Sequence, residues 1–238
     1  MDVLAEANRL KAAGVPVISM AVGQPSDPAP LPVREAAARV VRDGRIGYTD
    51  ALGLMSLREA IARHYVDHYG IEVPPQRIVA TTGSSAAFNL AFLAMFDAGD
   101  RVAITAPGYP AYRNILKVLG IEAVEIDLGG AGYLKASHLE EAHRSRPFDG
   151  LLFASPANPT GSVIPRAEIA RILRTAEDLG VSVISDEIYH RLAYEQPDTT
   201  ALALDPDTVV INSFSKYYCM TGWRIGWMVL PEMLLRPV

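Results

Sequence analysis

The stretch LLFASPANPTGSVIPRAEIARILRTAEDLGVSVISDEIYH, residues 151–190, decides the fold. LLFAS (151–155) and VSVISD (181–186) are short apolar runs of strand character. Between them, AEIARILRTAEDLG sets Ile169, Ile172, Leu173, Ala176 and Leu179 on one helical face, and Gly180 is placed to cap the helix. Strands that are apolar on both faces and alternate with helices predict a mostly parallel sheet covered on both sides.

Working outward, the same rhythm recurs. IVATTG (78–83), RVAITA (101–106), AVEIDL (123–128) and VVINSF (209–214) read as further strands, separated by helical patterns. A seventh run, GWMVL (226–230), follows Lys216 after a loop too short for a crossover helix, so it is expected antiparallel to its neighbour. GQPSDPAPLP (23–32), with four prolines, reads as an extended loop, and Pro32 sits where a helix through Val33–Val41 should begin.

Composition narrows the class. With 238 residues, half of them hydrophobic, the chain is long enough to bury a large core. The balance of 22 Lys+Arg against 27 Asp+Glu, net −5, argues against a nucleic-acid binder, which needs a basic face. One cysteine, Cys219, excludes a disulfide framework. The most apolar stretch, 86–96, is too short to span a membrane, and MDVLAEANRLK reads as an amphipathic helix, so a cytoplasmic protein is expected.

In open α/β sheets ligands bind beyond the carboxyl ends of the strands. Five polar clusters fall at such ends: TTGSS (81–85), PGYP (107–110), SPANPTG (155–161), SDEIYH (185–190) and SFSK (213–216). The steps from Asn158 to Asp186 and from Asp186 to Lys216 each match one strand–helix–strand repeat, which brings the clusters together. Singly, each has an ordinary structural role: Ser84 or Ser85 as a helix cap, Asp186 likewise, Tyr109 and Tyr189 as packing aromatics, residues 158–161 as a turn, Lys216 as a surface lysine. Jointly they point to a site. Gly83-Ser84-Ser85 opens a helix whose free N–H groups suit an anion. Lys216, partly desolvated and near Arg224, suits a nucleophilic amine.

Other chemistries fail. There is no phosphate-binding GxxxxGK[ST] loop, the GxG at Gly130 and Gly132 lacks its third glycine, and the five histidines form no HExxH. His64 and His68, one helical turn apart, read as a solvated face, and no metal site is expected.

SPANPTG, SDEIY, SFSK and GWRIG, in this order and spacing, resemble the fold-type I, pyridoxal-phosphate-dependent class I/II aminotransferases over nearly the whole chain. The resemblance implies that fold's large domain: a seven-stranded, mostly parallel sheet whose last strand is antiparallel, covered by helices. Residues 1–32 would be an N-terminal arm with part of a small domain, and 33–238 the large cofactor-binding domain. Lys216 would form a Schiff base with pyridoxal phosphate and shuttle the reacting proton. Asp186 would pair with the pyridinium nitrogen. Tyr189 and Asn158 would hydrogen-bond the phenolic oxygen, and Tyr109 would stack on the ring. Gly83, Ser84, Ser85, Ser213 and Arg224 would hold the phosphate. Tyr48 would reach the phosphate of a second subunit, which implies a homodimer, and Gly23, with Asn158 and Tyr109, would line the substrate site.

The family's chain runs on into a small C-terminal domain carrying the arginine that clamps the substrate carboxylate. This sequence ends at Val238, so a C-terminally truncated chain is expected. The expected reaction moves an amino group from an α-amino acid to a 2-oxo acid. A carbon–sulfur β-lyase on the same scaffold, or an inactive cofactor-binding fragment, are the alternatives.

Overall fold

The computed structural model describes residues 2–20, 22–44, 46–130 and 132–238. All seven apolar runs are strands of one sheet: β1 (Ile78–Thr81), β2 (Arg101–Ala106), β3 (Glu122–Asp127), β4 (Gly150–Ala154), β5 (Ser182–Asp186), β6 (Val209–Ser213) and β7 (Gly226–Val229). Their spatial order is β1-β7-β6-β5-β4-β2-β3. β2 through β6 run parallel, whereas β7 is antiparallel to both β6 and β1, as its short connection requires.

Among the described residues seven α-helices precede or link the strands: α1 (Asp2–Ala12), α2 (Leu31–Asp43), α3 (Met55–Tyr69), α4 (Ser84–Met95), α5 (Pro110–Val118), α6 (Ala136–Ser145) and α7 (Arg166–Leu179). Alternation along the strands divides the interior into two cores. Leu151 and Phe153 of β4, Val210 of β6 and Trp227 of β7 face α3, α6 and α7. Leu152, Ile211 and Met228 face the other way, onto Phe88 and Phe92 of α4 and Leu116 of α5. Burying each such side chain contributes about 1.5–3 kcal/mol, so the two-sided burial that the sequence announces also accounts for the stability of the sheet. α7 buries Ile169, Ile172, Leu173 and Ala176 and ends at Gly180 in the left-handed region (φ 68°). α2 begins one residue before Pro32 and buries none of its residues.

Three local expectations are corrected. No helix links β5 to β6. Residues 187–208 form an irregular crossover with one short 3₁₀ turn (Ala201–Ala203), because Pro197 and Pro206 break the chain and no apolar period of 3.6 is present. β3 lies at the sheet edge, so Glu122, Glu125 and Asp127 are exposed and only Val124 and Ile126 are buried. His64 is not on a solvated face: it stacks on His68, whose own side is exposed, and meets Tyr65, Tyr69 and Trp227 edge-on. Burial pushes His64 down to about 4, so it packs as a neutral ring. Among the described residues no group of three or more His, Cys, Asp or Glu is arranged to hold a metal ion. No helix of the described residues is long and apolar enough to cross a membrane.

Candidate active site

The carboxyl ends of β4, β5 and β6 and the N-terminus of α4 converge, as the polar clusters predicted. β5 ends at Asp186 and the next residue is Glu187, and the extended backbone turns the two acids to opposite faces. Asp186, 4 % exposed, enters the α4–α5 side. There its Oδ2 accepts a hydrogen bond from the Tyr112 hydroxyl and its Oδ1 accepts the Ile188 amide at 3.0 Å. Burial raises its carboxyl to about 6, although both hydrogen bonds and the Lys216 charge pull the other way. Glu187, 1 % exposed, enters the α3 side. Its Oε1 accepts the Ala201 amide at 2.8 Å, the Thr200 hydroxyl at 3.1 Å and the Ser185 hydroxyl at 3.3 Å. Those three bonds anchor the irregular crossover in place of a helix. Glu187 Oε2 has no hydrogen-bond partner and lies 3.5 Å from His190 Nδ1. Burial lifts Glu187 to about 8 and depresses His190 to about 3, so this pair is uncharged at neutral pH. With a neutral ring, His190 Nδ1 accepts from the Tyr69 hydroxyl at 2.7 Å, and the imidazole also hydrogen-bonds the Ser155 backbone. Tyr69 and Ser155 thereby tie the turn carrying Tyr189 to α3 and to the loop carrying Asn158.

Lys216 emerges just after β6 and is half-buried. Its Nζ donates to the Gly23 carbonyl at 2.9 Å and stands 5.5 Å from the centre of the Tyr189 ring. Burial holds the amine below the usual lysine range, and the Asp186 charge opposes that shift. Asn158 Nδ2 donates to the Tyr189 hydroxyl at 3.3 Å. Tyr109 stands at the N-terminus of α5, partly exposed, with its ring edge-on to Tyr112 at 5.4 Å.

At the start of α4, Gly83 takes φ 82°, and a Cβ there would sit 2.4 Å from Arg224 Nη2. Only glycine lets the guanidinium lie against this backbone. Gly226 is equally tight: a Cβ would lie 2.9 Å from the Gly83 carbonyl carbon and 3.0 Å from the Ser84 nitrogen. Arg224, itself left-handed (φ 54°), is held by a 2.9 Å bond from Nη1 to the Thr221 carbonyl. Ser85 is exposed and Ser84 half-buried, with no side-chain cap at this helix start, so the first amides of α4 stay available. Ser213 is buried, and its hydroxyl accepts the Ser215 amide at 3.1 Å. Tyr48 is not brought into this group. Its ring is fully exposed.

The sequence profile of the aminotransferase class I and II family matches residues 15–237. The chain belongs to that family. This member of the class I and II family is 49 % identical to the valine–pyruvate aminotransferase of Mycobacterium tuberculosis, over all of its own length and 62 % of the relative's. It is 36 % identical to an aspartate aminotransferase of Streptomyces avermitilis, covering 98 % of this chain and 59 % of that one. Among solved structures, an aminotransferase from Mycobacterium tuberculosis superposes with a TM-score of 0.94 at 48 % identity, covering 100 % of this chain and 62 % of that chain. Aspartate aminotransferase from Thermus thermophilus with maleate gives 0.92 at 32 % identity, covering 99 % and 62 %. The chain thus spans about three fifths of the relatives it matches.

Tyr112 and Tyr69 lie outside the polar clusters, and Glu187 and His190, although within the 185–190 cluster, carry roles that the cluster does not reveal. Tyr112 had a signal, three residues after Tyr109 and hence on the sheet-facing side of α5. The others act on the far side of the sheet, and their partners lie up to 121 residues away.

Proposed function

We propose that this chain is the cofactor-bearing part of a pyridoxal-phosphate-dependent aminotransferase, acting between an α-amino acid and a 2-oxo acid. The observation that carries the proposal is Lys216: a half-buried amine held below the usual lysine range and facing Tyr189, with its charge felt by the buried Asp186. The residues present fit the cofactor. A carboxylate buried at Asp186 suits a protonated ring nitrogen, and the Gly83–Arg224 contact with the free amides of α4 suits a phosphate dianion. When bound, pyridoxal phosphate supplies an aldehyde for an amine to condense with and a ring that withdraws electrons.

The chain's own residues have definite tasks in this reading. Lys216 Nζ would hold the cofactor's aldehyde carbon and would carry the proton that moves during transamination. Burial lowers its basicity, which favours the neutral form that can accept that proton. Asp186 keeps the ring nitrogen protonated. Asn158 and Tyr189 orient the phenolic oxygen, and Tyr109 covers one ring face. Gly83, Ser84, Ser85, Ser213 and Arg224 hold the phosphate, and the Gly23 backbone lines the substrate side. We assign residues 1–32 to an N-terminal arm with part of the small domain, and 33–238 to the large domain, incomplete at its C-terminal end. A homodimer with Tyr48 reaching its partner's phosphate is supported by the exposed Tyr48, Ile46, Ile18 and Met20 of one N-terminal stretch.

The test is an absorbance titration of the chain with pyridoxal phosphate beside Lys216→Ala, followed by amino transfer from L-valine and L-aspartate to pyruvate and 2-oxoglutarate. A pH-dependent imine band in the parent that is missing from the variant supports the assignment. A band of equal strength in Lys216→Ala overturns it.

A further inference from the structure

Two residues outside the assigned site join the segments that carry its charges. Arg191 lies two residues after Tyr189, and Tyr217 directly follows Lys216. The Arg191 guanidinium carbon sits 3.9 Å from the centre of the Tyr217 ring, and Nη1 reaches the Tyr218 hydroxyl at 3.4 Å. The Arg191 backbone occupies the left-handed region (φ 68°), which disfavours a residue with a long side chain. Such a conformation persists where its surroundings over-determine it, and it gathers at functional sites. Here the Arg191 amide is bonded to the Asp198 carboxylate, whose Oδ1 is buried without a hydrogen-bond partner.

Lys216 has few other restraints. Beyond its covalent neighbours it touches the Gly23 carbonyl and faces Tyr189. The loop behind it carries a second left-handed residue, Cys219 (φ 55°). We propose that Arg191 is a positioning residue, whose stacking on Tyr217 fixes the Lys216 amine relative to Asp186 and Tyr189. A planar guanidinium on an aromatic face is a directional contact, and it spans the gap between the β5 and β6 loops that no strand hydrogen bond covers. The inference rests on the reading of Lys216 as the reactive amine.

The amine itself can be measured without cofactor. The chain has four lysines, so acylation of Lys216 by an N-hydroxysuccinimide ester, quantified by peptide mass spectrometry, has Lys11, Lys117 and Lys135 as internal references. The groups facing Lys216 are Asp186 and Tyr189, neither of which is altered. We expect Lys216 of the parent to label with a midpoint below that of the other lysines. Arg191→Gln and Tyr217→Leu should each move that midpoint toward them and cut labelling at pH 8 by about two- to five-fold. Arg191→Lys and Tyr217→Phe should recover most of the parent behaviour. The double variant should be no worse than either single one. A parent-like midpoint in Arg191→Gln, or single effects that add in the double variant, would overturn the inference alone. Should Arg191→Gln not fold, judged by near-ultraviolet circular dichroism, Tyr217→Leu decides from the other side of the contact. A parent Lys216 that titrates with the other three overturns the reading of Lys216 and the inference with it.

Discussion

Tyr112 of α5 donates its hydroxyl proton to Asp186 at the end of β5, across 74 residues of sequence and inside the core. Both oxygens of Asp186 are thus engaged by the chain itself. Tyr112→Phe removes one donor from a buried carboxylate and should cost about 1–3 kcal/mol above pH 7. It should also raise the Asp186 carboxyl further above about 6, because the lost bond favoured the charged form. Urea unfolding at pH 5 and pH 8 with carboxyl carbon NMR checks both effects. An unmoved Asp186 titration would contradict the assignment of that bond.

Stability of the cofactor-free chain should depend on pH in a way set by four buried groups. Asp186 and Glu187 are raised from their ordinary values of 3.8 and 4.5 to about 6 and 8, so their contributions are lost as pH rises through those ranges. His64 and His190 are lowered from 6.5 to about 4 and 3, so theirs are lost as pH falls. Between about 4.5 and 6 the opposing slopes cancel. Between 6.5 and 8 only Glu187 remains of the four, so stability should fall with rising pH. Glu187→Gln, an uncharged near-isostere, should abolish that fall in urea titrations at pH 6.5 and 8. A persisting slope in the variant would sink this account.

Gly83→Ala should weaken pyridoxal phosphate binding at least ten-fold while leaving the sheet formed. The new methyl meets the Arg224 guanidinium at 2.4 Å, and φ 82° resists any side chain. Gly226→Ala should instead lower thermal stability, since all three of its close neighbours are backbone atoms that cannot yield cheaply. Fluorescence titration and thermal melts distinguish the two outcomes.

Tyr65→Phe should lower stability by about 1–3 kcal/mol and leave cofactor affinity at the parent value. Its hydroxyl accepts the Trp227 indole N–H at 3.2 Å in a fully buried pair within the core on the α3 side of the sheet. Equal cofactor titrations beside a reduced unfolding midpoint are the expected result.

The sequence reveals what local periodicity and turn chemistry control, and stops where long-range pairing begins. Each of the seven strands is visible as a short apolar run, and the antiparallel direction of β7 follows from the length of the loop before it. Lys216, Asp186, Asn158, Tyr189 and Gly83 are visible because strand ends put them at one edge. The crossover after Asp186 is harder to read. Its anchor, the Ala201 amide on Glu187, joins residues 14 apart that share no motif. His64 misleads for a related reason: exposed polar spacing on α3 conceals that Trp227 of the last strand closes over it. The seating of Gly83 against Arg224 is invisible without the antiparallel pairing that brings β7 beside β1.

That pairing also has a consequence for synthesis. β1 emerges early, yet its ladder partner is β7, with Ile78 opposite Val229. A nascent chain that has cleared the ribosome only as far as β6 therefore holds Gly83 and α4 beside an unmatched edge. Arg224 and the strand that seats it arrive together. A translational pause or proteolytic nick before Arg224 would therefore leave Gly83 without the guanidinium packed against it while sparing the parallel strands already laid down.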